Sequence, residues 1–232
     1  MAKKVIQKVL RLGGVELKRY DKSKNRYKSL FKKYRDFTMI PEQEFITNLE
    51  LCDHFKNLKG DFVECGVWRG GMSAAIAEII GAEHQVHLFD SFEGLPPAKT
   101  IDGKEAIAWQ QNKTSPGYFD NCRAEERFAL EAMKKSGHKK FRTHPGWFAE
   151  TLPEFGPKPI SILRLDGDWY DSIMTCLEQL FPRVIGGGII ILDDYYVWDG
   201  CAKAVHDYLS RIASPSRIHQ WKDQIAYIIK KN

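Results

Sequence analysis

Hydrophobic and polar positions follow two different periods along this chain. Short runs of consecutive apolar residues indicate buried strands, and longer stretches with apolar residues three and four positions apart indicate helices. The runs predict strands at 62–65, 86–90, about 141–144, 160–165, 189–192, 217–221 and 225–229. The helical stretches lie at 3–20, 42 to about 56, 72–80, about 124–136, about 172–181 and about 201–212.

Strand and helix alternate from residue 42 onward, and this order predicts an α/β fold with a doubly wound parallel sheet. Residues 36–41 are expected to form a loop, and Pro41 opens the helix that follows. The segment 94–122 is rich in proline and glycine and has no clear period. We interpret it as an irregular lid insert, because long structureless segments inside compact domains usually serve a site.

Composition narrows the classes of function only modestly. A length of 232 residues suits one large α/β domain, and 43% hydrophobic residues are typical of a globular protein. The net charge of +5 comes mainly from the first 35 residues, so we expect no nucleic-acid partner. The five cysteines include no Cys-x-x-Cys pair, which is typical of a reduced, cytoplasmic protein. We see neither a membrane-spanning run nor a signal peptide.

Three aspartates directly follow two apolar runs. Asp166 ends the first run, and Asp193 and Asp194 end the second. In open α/β sheets ligands bind beyond the carboxyl ends of the strands, so these side chains converge if the two strands are neighbours. Clustered carboxylates repel one another unless a cation lies among them, and an oxygen-only set suits Mg²⁺. The alternative is that Asp193 and Asp194 only cap the next helix.

A glycine-rich turn follows the first predicted strand, and Asp90 ends the next one. Strand, glycine turn, helix and distal acid are the layout of a nucleoside-binding site, in which the acid accepts bonds from a ribose diol. The spacing of Gly66, Gly70 and Gly71 is neither Gly-x-Gly-x-x-Gly nor a P-loop. Glu64 would suit a cationic ligand, although it could equally be a paired core carboxylate. A ribose and an ammonium group without phosphate describe S-adenosylmethionine.

Five segments together resemble the macrocin O-methyltransferase family: 60–71 (GDFVECGVWRGG), 90–96 (DSFEGLP), 146–153 (GWFAETLP), 163–170 (LRLDGDWY) and 186–196 (GGGIIILDDYY). The resemblance implies a class I methyltransferase fold, Rossmann-like, with seven strands of which the last is antiparallel. It further implies a methyltransferase domain at 60–232, and at 1–59 an N-terminal helical extension with a cofactor-covering loop. It also implies S-adenosylmethionine and Mg²⁺ as cofactors and a homodimer or larger homo-oligomer.

The resemblance also assigns site residues. Asp166, Asp193 and Asp194 resemble the family's metal ligands, and Asp166 also resembles its catalytic base. The expected cofactor-binding residues are Thr38, Met39, Glu64, Gly66, Trp68, Arg69, Gly70, Asp90, Ser91, Phe92 and Trp147. The likeness is loose between 99 and 135, so the acceptor does not transfer from the family.

The function expected from these assignments is Mg²⁺-dependent O-methylation of a sugar or natural-product glycoside, a small-molecule acceptor. Asp166 or Asp168 would remove the proton of the hydroxyl, with His144 and His206 as rival bases. One alternative is a metal-dependent glycosyltransferase that uses Asp166-Gly167-Asp168 as its Asp-x-Asp element. Another is a cofactor-binding protein without catalytic activity.

Overall fold

A computed structural model describes residues 22–222 and 224–231 and shows one seven-stranded sheet in the order β3-β2-β1-β4-β5-β7-β6. The strands are β1 (Asp61–Cys65), β2 (Val86–Asp90), β3 (Phe141–Pro145), β4 (Ile160–Leu165), β5 (Val184–Leu192), β6 (Arg217–Trp221) and β7 (Ile225–Ile229). Strands β1 to β5 are mutually parallel, and β7 is antiparallel to both of its neighbours. The predicted seven-stranded sheet with an antiparallel last strand is confirmed.

Helices cover both faces of the sheet. They are α1 (Lys22–Tyr34), α2 (Glu42–Phe55), α3 (Gly71–Ile80), α4 (Lys104–Gln111), α5 (Glu126–Ser136), α6 (Tyr170–Leu180) and α7 (Asp199–Arg211). One apolar core lies between the sheet and α1, α2, α3 and α5, and the other lies between the sheet and α6 and α7. Because β4 is buried on both faces, it has the near-continuous apolar sequence of a central parallel strand.

The main differences from the predicted elements lie outside the central strands. The helix expected at 3–20 lies outside the described residues. Helix α1 was not predicted, although Tyr27, Leu30 and Tyr34 are buried at helical spacing among its lysines. Strand β5 begins at Val184, five residues before the predicted Ile189. Its pairing with β4 shifts register between Ile160 and Ile162, and the glycines of β5 lie in that irregular part of the strand.

The insert 94–122 is not irregular throughout, and that prediction was wrong over α4. Short turns make up much of the rest of the insert, and similar ones occur elsewhere at Arg35–Phe37, Phe148–Thr151, Pro153–Phe155 and Phe181–Arg183. The insert ends in a left-handed turn at Phe119–Cys122, where four consecutive residues that are not glycine have φ between 48° and 58°. Such residues each cost about 1–2 kcal/mol relative to right-handed backbone. Among the described helices, none is long and apolar enough to cross a membrane.

Two loops touch where the strand order changes direction, between β1 and β4. Gly66 follows β1 with a φ of 90°, and a Cβ there would lie 1.7 Å from the carbonyl oxygen of Asp166 after β4. Only glycine fits this approach and this backbone conformation. The glycine turn and the first aspartate segment are therefore in direct main-chain contact, at the place where open α/β sheets bind ligands.

Candidate active site

A cavity of about 400 Å³ opens at the carboxyl ends of β1, β2, β4 and β5. It brings together most of the residues that the sequence predicted for two separate ligands. On its walls are the predicted cofactor residues Thr38, Met39, Glu64, Gly66, Trp68, Asp90, Ser91 and Trp147. The predicted metal ligands Asp166, Asp193 and Asp194 line it as well, together with Asp168. One cavity therefore spans both predicted sites.

Three of the predicted cofactor residues do not line the cavity. Arg69 lies over the rings of Trp68 and Phe128, with 4.6 Å and 4.8 Å to their centroids. Gly70 has a φ of 78° and caps the start of α3, so it shapes the turn through its backbone. Phe92 packs against the apolar core. These three residues lie behind the residues that line the cavity. Their assignment to cofactor binding stays a prediction.

The carboxylate of Asp90 organises the glycine turn. Its Oδ2 accepts hydrogen bonds from the backbone N–H groups of Val67 (2.6 Å) and Trp68 (2.9 Å), and its Oδ1 accepts one from Phe92 (2.7 Å). Burial raises the pKa of Asp90, and these N–H donors oppose that rise. Carboxylate oxygens accept more than one bond each, so Asp90 can hold the turn and still accept from a ligand hydroxyl.

A buried arginine that the sequence analysis did not single out connects the acids. Arg164 of β4 is fully buried and donates from Nη1 to Glu64 Oε1 (2.6 Å) and to Asp166 Oδ2 (2.8 Å). Its Nη2 forms an ion pair with Asp193 Oδ1 at 2.5 Å, without a well-aligned hydrogen bond. A charged residue inside the apolar run of β4 was the available signal, since charges are rarely buried without partners.

Glu64 has the surroundings of a paired core carboxylate. Besides Arg164, it accepts a hydrogen bond from the hydroxyl of Ser73 on α3, and it is 1% exposed. Burial raises the pKa of Glu64, while the positive charge of Arg164 and these hydrogen bonds act in the opposite direction. Arg164 already balances the negative charge of Glu64. The binding of a cationic ligand by Glu64 stays a prediction.

Three carboxylates form a cluster able to hold a metal ion. One oxygen from each of Asp166, Asp168 and Asp194 lies within 4.8 Å of the others. This set includes Asp168 and not Asp193, whose carboxylate faces Arg164, and the assignment of Asp193 as a metal ligand stays a prediction. Asp168 also bonds within the cluster, because its backbone N–H donates to Asp194 Oδ2 at 3.0 Å.

The ionisation of the cluster fits a divalent cation. Burial raises the pKa of Asp168 to about 7, and burial followed by neighbouring negative charges raises the pKa values of Asp166 and Asp194 well above the usual range. Asp194 is buried and Asp166 and Asp168 are half-buried, so ionising all three carboxylates is costly without a nearby positive charge in addition to Arg164. Oxygen donors of this kind are those that Mg²⁺ prefers, so the residues present fit that ion.

The two rival histidine bases lie away from the cavity wall. His144 bonds through Nε2 to Nδ1 of His87 at 3.0 Å and stacks on Phe89, in the layer beneath β2 and β3. His206 on α7 bonds to the hydroxyl of Tyr195 at 2.8 Å. Aspartates are therefore the better-placed bases among the groups considered.

The rim of the cavity contains residues that the sequence did not identify. Phe119, in the left-handed turn, is 45% exposed and meets the ring of Trp68 at 6.4 Å in an edge-on arrangement. Cys122 and Glu44 line the cavity as well. Backbone strain of this kind concentrates at ligand sites, but it depends on tertiary contacts that no local sequence pattern reveals.

Comparison with known proteins agrees with this geometry. A family model described as Macrocin-O-methyltransferase (TylF) matches residues 5–227. The 8-demethyl-8-(2,3-dimethoxy-alpha-L-rhamnosyl)-tetracenomycin-C 4'-O-methyltransferase of Streptomyces olivaceus is 36% identical over 178 residues, which cover 72% of this chain and 65% of that protein. The demethyldecarbamoylnovobiocin O-methyltransferase of Streptomyces niveus is 31% identical over 169 residues, covering 67% of this chain and 60% of that protein. The chain thus spans slightly less than two thirds of both relatives.

A solved structure extends the match to the fold. The O-methyltransferase NovP superposes with a TM-score of 0.69 at 27% identity, and the match covers 88% of each chain. The sheet described above is that of a class I methyltransferase, as the sequence predicted. The family model extends over nearly the whole chain, so the chain belongs to the macrocin O-methyltransferase family.

Proposed function

We propose that the protein is a Mg²⁺-dependent O-methyltransferase that transfers a methyl group from S-adenosylmethionine to a hydroxyl of a sugar or natural-product glycoside. One observation carries the proposal: a single cavity of about 400 Å³ joins the glycine turn and Asp90 to three clustered carboxylates. The names of the relatives support the reaction and the class of acceptor. The glycosyltransferase alternative is not favoured, because it leaves the glycine turn and Asp90 without a role.

Asp166, Asp168 and Asp194 would hold the cation. When bound, S-adenosylmethionine supplies an electrophilic methyl group, and Mg²⁺ supplies positive charge that stabilises a developing alkoxide. The glycine turn and Asp90 would bind the nucleoside part of the donor. The glycine turn touches the Asp166 segment at Gly66, which favours close alignment of donor and acceptor. Such positioning contributes up to ~7–11 kcal/mol in favourable cases.

An aspartate of the cluster would accept the proton of the acceptor hydroxyl. Asp166 is bonded to Arg164 through Oδ2, which leaves Oδ1 free of that partner. Asp168 is bonded to the indole of Trp198 through Oδ1, which leaves Oδ2 free of that partner. Either residue therefore has an oxygen that can take a proton, and Asp166 remains our proposed base.

Calorimetry with S-adenosylhomocysteine, followed by mass spectrometry of a panel of deoxysugar glycosides, tests the proposal. We expect cofactor binding, a mass gain of one CH₂ in at least one glycoside, and loss of turnover with EDTA that Mg²⁺ restores. Asp194→Asn should reduce turnover by a factor of ~10² or more, since it removes one of three ligands. Asp207→Asn makes the same chemical change on the surface of α7 and serves as the matched control.

Two results would contradict different parts of the proposal. Absence of cofactor binding would overturn the methyltransferase function itself. Turnover that EDTA leaves unchanged would overturn only the metal requirement.

A further inference from the structure

A cluster of three tryptophans lies behind Asp168. The rings of Trp169 and Trp198 meet edge-on with centroids 5.2 Å apart, and Trp109 of the insert contacts both, at 6.1 Å and 5.9 Å. Each indole N–H has a defined acceptor. Trp109 donates to the carbonyl of Gly117 and Trp169 to that of Pro96, whereas Trp198 donates to Asp168 Oδ1 at 2.9 Å. Only the bond from Trp198 reaches a carboxylate of the acidic cluster.

The backbone at Asp168 requires such support. Its φ of 56° lies in the left-handed region, which costs a residue that is not glycine about 1–2 kcal/mol. A residue persists in this conformation only where its surroundings hold it there. The bond from Asp168 N–H to Asp194 holds the backbone side, and the bond from Trp198 holds the carboxylate.

The insert holds the tryptophans in turn. Its Asp102 is 3% exposed and accepts a hydrogen bond from the backbone N–H of Tyr170, two residues beyond Asp168, at 2.7 Å. Asp102 also lies so close to Gly200 that a Cβ there would be 2.5 Å from its Oδ1. Through Asp102, the insert therefore contacts the segment that contains Asp168, at Tyr170, and the segment that contains Trp198, at Gly200. The insert therefore supports the acidic cluster on the side away from the cavity, through Asp102 and Trp109.

We propose that Trp198 is a positioning residue whose indole N–H fixes the carboxylate of Asp168 for cation binding, with Trp109 and Trp169 holding the indole in place. The inference rests on the proposed metal-dependent function. Groups that orient a metal ligand typically contribute 10–100-fold to metal affinity. Loss of packing alone would lower stability and leave the affinity of the folded protein for the ion unchanged.

The test is a double-mutant cycle on divalent-cation affinity, measured by calorimetry with Mg²⁺ and by electron paramagnetic resonance with Mn²⁺. Trp198→Phe keeps an aromatic ring and removes the N–H, and we expect it to weaken cation binding about 10-fold in the full chain. In the Asp168→Asn background the same change should have little further effect, because the bonded carboxylate is already gone. Trp221→Phe is the matched control, since it removes an indole N–H from β6, outside both the cavity and the tryptophan cluster, and it should leave cation affinity near wild type.

A second variant separates the N–H from packing. Benzothienylalanine at position 198 keeps the size of the indole and replaces the N–H by sulfur, so it should weaken cation binding as Trp198→Phe does, at near-wild-type melting temperature. Unchanged affinity in this variant, or an equal loss from Trp198→Phe in both backgrounds, would overturn the positioning role while the proposed function stands. A wild-type protein that binds neither ion would instead overturn the metal requirement, and this inference with it.

Discussion

The two halves of the cavity wall differ in the groups that form them. On β1 and β2 the wall is main chain: a glycine turn whose N–H groups are held by the single carboxylate of Asp90. On β4 and β5 the wall consists of charged side chains. Arg164 forms ion pairs with Glu64 of β1 and with Asp166 and Asp193, which follow β4 and β5. The first half depends on backbone shape and the second on electrostatic balance. The two halves should therefore respond differently to substitution, pH and metal.

The largest expected effect comes from removing the buried cation. Arg164→Met should lower the free energy of unfolding by about 3–5 kcal/mol, because it leaves Glu64 and Asp193 without their partner. Denaturant unfolding measures this loss. The double variant Arg164→Met with Glu64→Gln removes one orphaned charge and should recover part of the stability. Equal stability of the single variant and the wild type would show that the acidic half does not depend on this charge balance.

In the glycine half, by contrast, a substitution should reduce turnover by displacing the main chain. In Gly66→Ala the new Cβ would collide with the carbonyl of Asp166, so both loops must shift. A displacement of about 1 Å can reduce turnover roughly 10²-fold. Gly81→Ala is the control, because Gly81 also has a positive φ but nothing within 4 Å of its Cβ position. Similar losses of turnover in both variants would indicate a general effect of backbone strain rather than contact between the halves.

Acid should destabilise the layer beneath the glycine half. Burial lowers the pKa of His87 to about 3 and that of His144 to about 4, whereas an unfolded histidine titrates near 6.5. The stability due to these neutral rings is complete above about pH 6.5 and is lost as the pH falls toward 4, because the unfolded state takes up the protons first. His144→Phe keeps a ring to stack on Phe89 and should reduce the loss between pH 6.5 and 5 by about 1–2 kcal/mol. Thermal melting across this range measures it, and an unchanged pH slope would contradict the assignment.

The acidic half should respond to pH with the opposite sign when no metal is bound. The raised pKa of Asp168, about 7, means that the folded protein takes up a proton as the pH falls through neutrality. Metal-free protein should therefore gain stability between pH 7 and 6, by about 1 kcal/mol, and lose it as the pH rises. Added Mg²⁺ should abolish this gain, and Asp168→Asn should reduce it, because Asp166 and Asp194 also have raised pKa values. Melting curves with EDTA and with Mg²⁺ give the comparison, and a gain of unchanged size in Asp168→Asn would assign it to other groups.

Sequence patterns were most informative where local rules act alone. The strands at 86–90, 160–165, 217–221 and 225–229 were placed with correct bounds, because apolar runs and turns define them locally. The positions of Asp90 and Asp166 at strand ends followed from the same rules. The chemistry of these residues predicted S-adenosylmethionine and Mg²⁺, and the family resemblance implied the same two cofactors. The metal and the assignments of individual site residues stay predictions.

What the sequence could not show depends on partners that are distant along the chain. Arg164 and Glu64 are 100 residues apart, and only the pairing of β1 with β4 brings them together. The pairing of Asp193 with Arg164, and the bond between Asp168 and Asp194, depend in the same way on the pairing of β4 with β5. The same holds for the insert, whose helix α4 is stabilised by packing of Trp109 against two tryptophans from other segments.

The close approach of Gly66 to the carbonyl of Asp166 has a consequence for how this protein could diversify. No side chain separates the two loops, so the main chain sets the gap between the turn and the nearest acid. Phe119, Cys122 and Glu44 line the cavity and take no part in that main-chain contact. Under the proposed function, exchange of these three residues could accommodate new acceptors while the separation between the turn and the acid is kept.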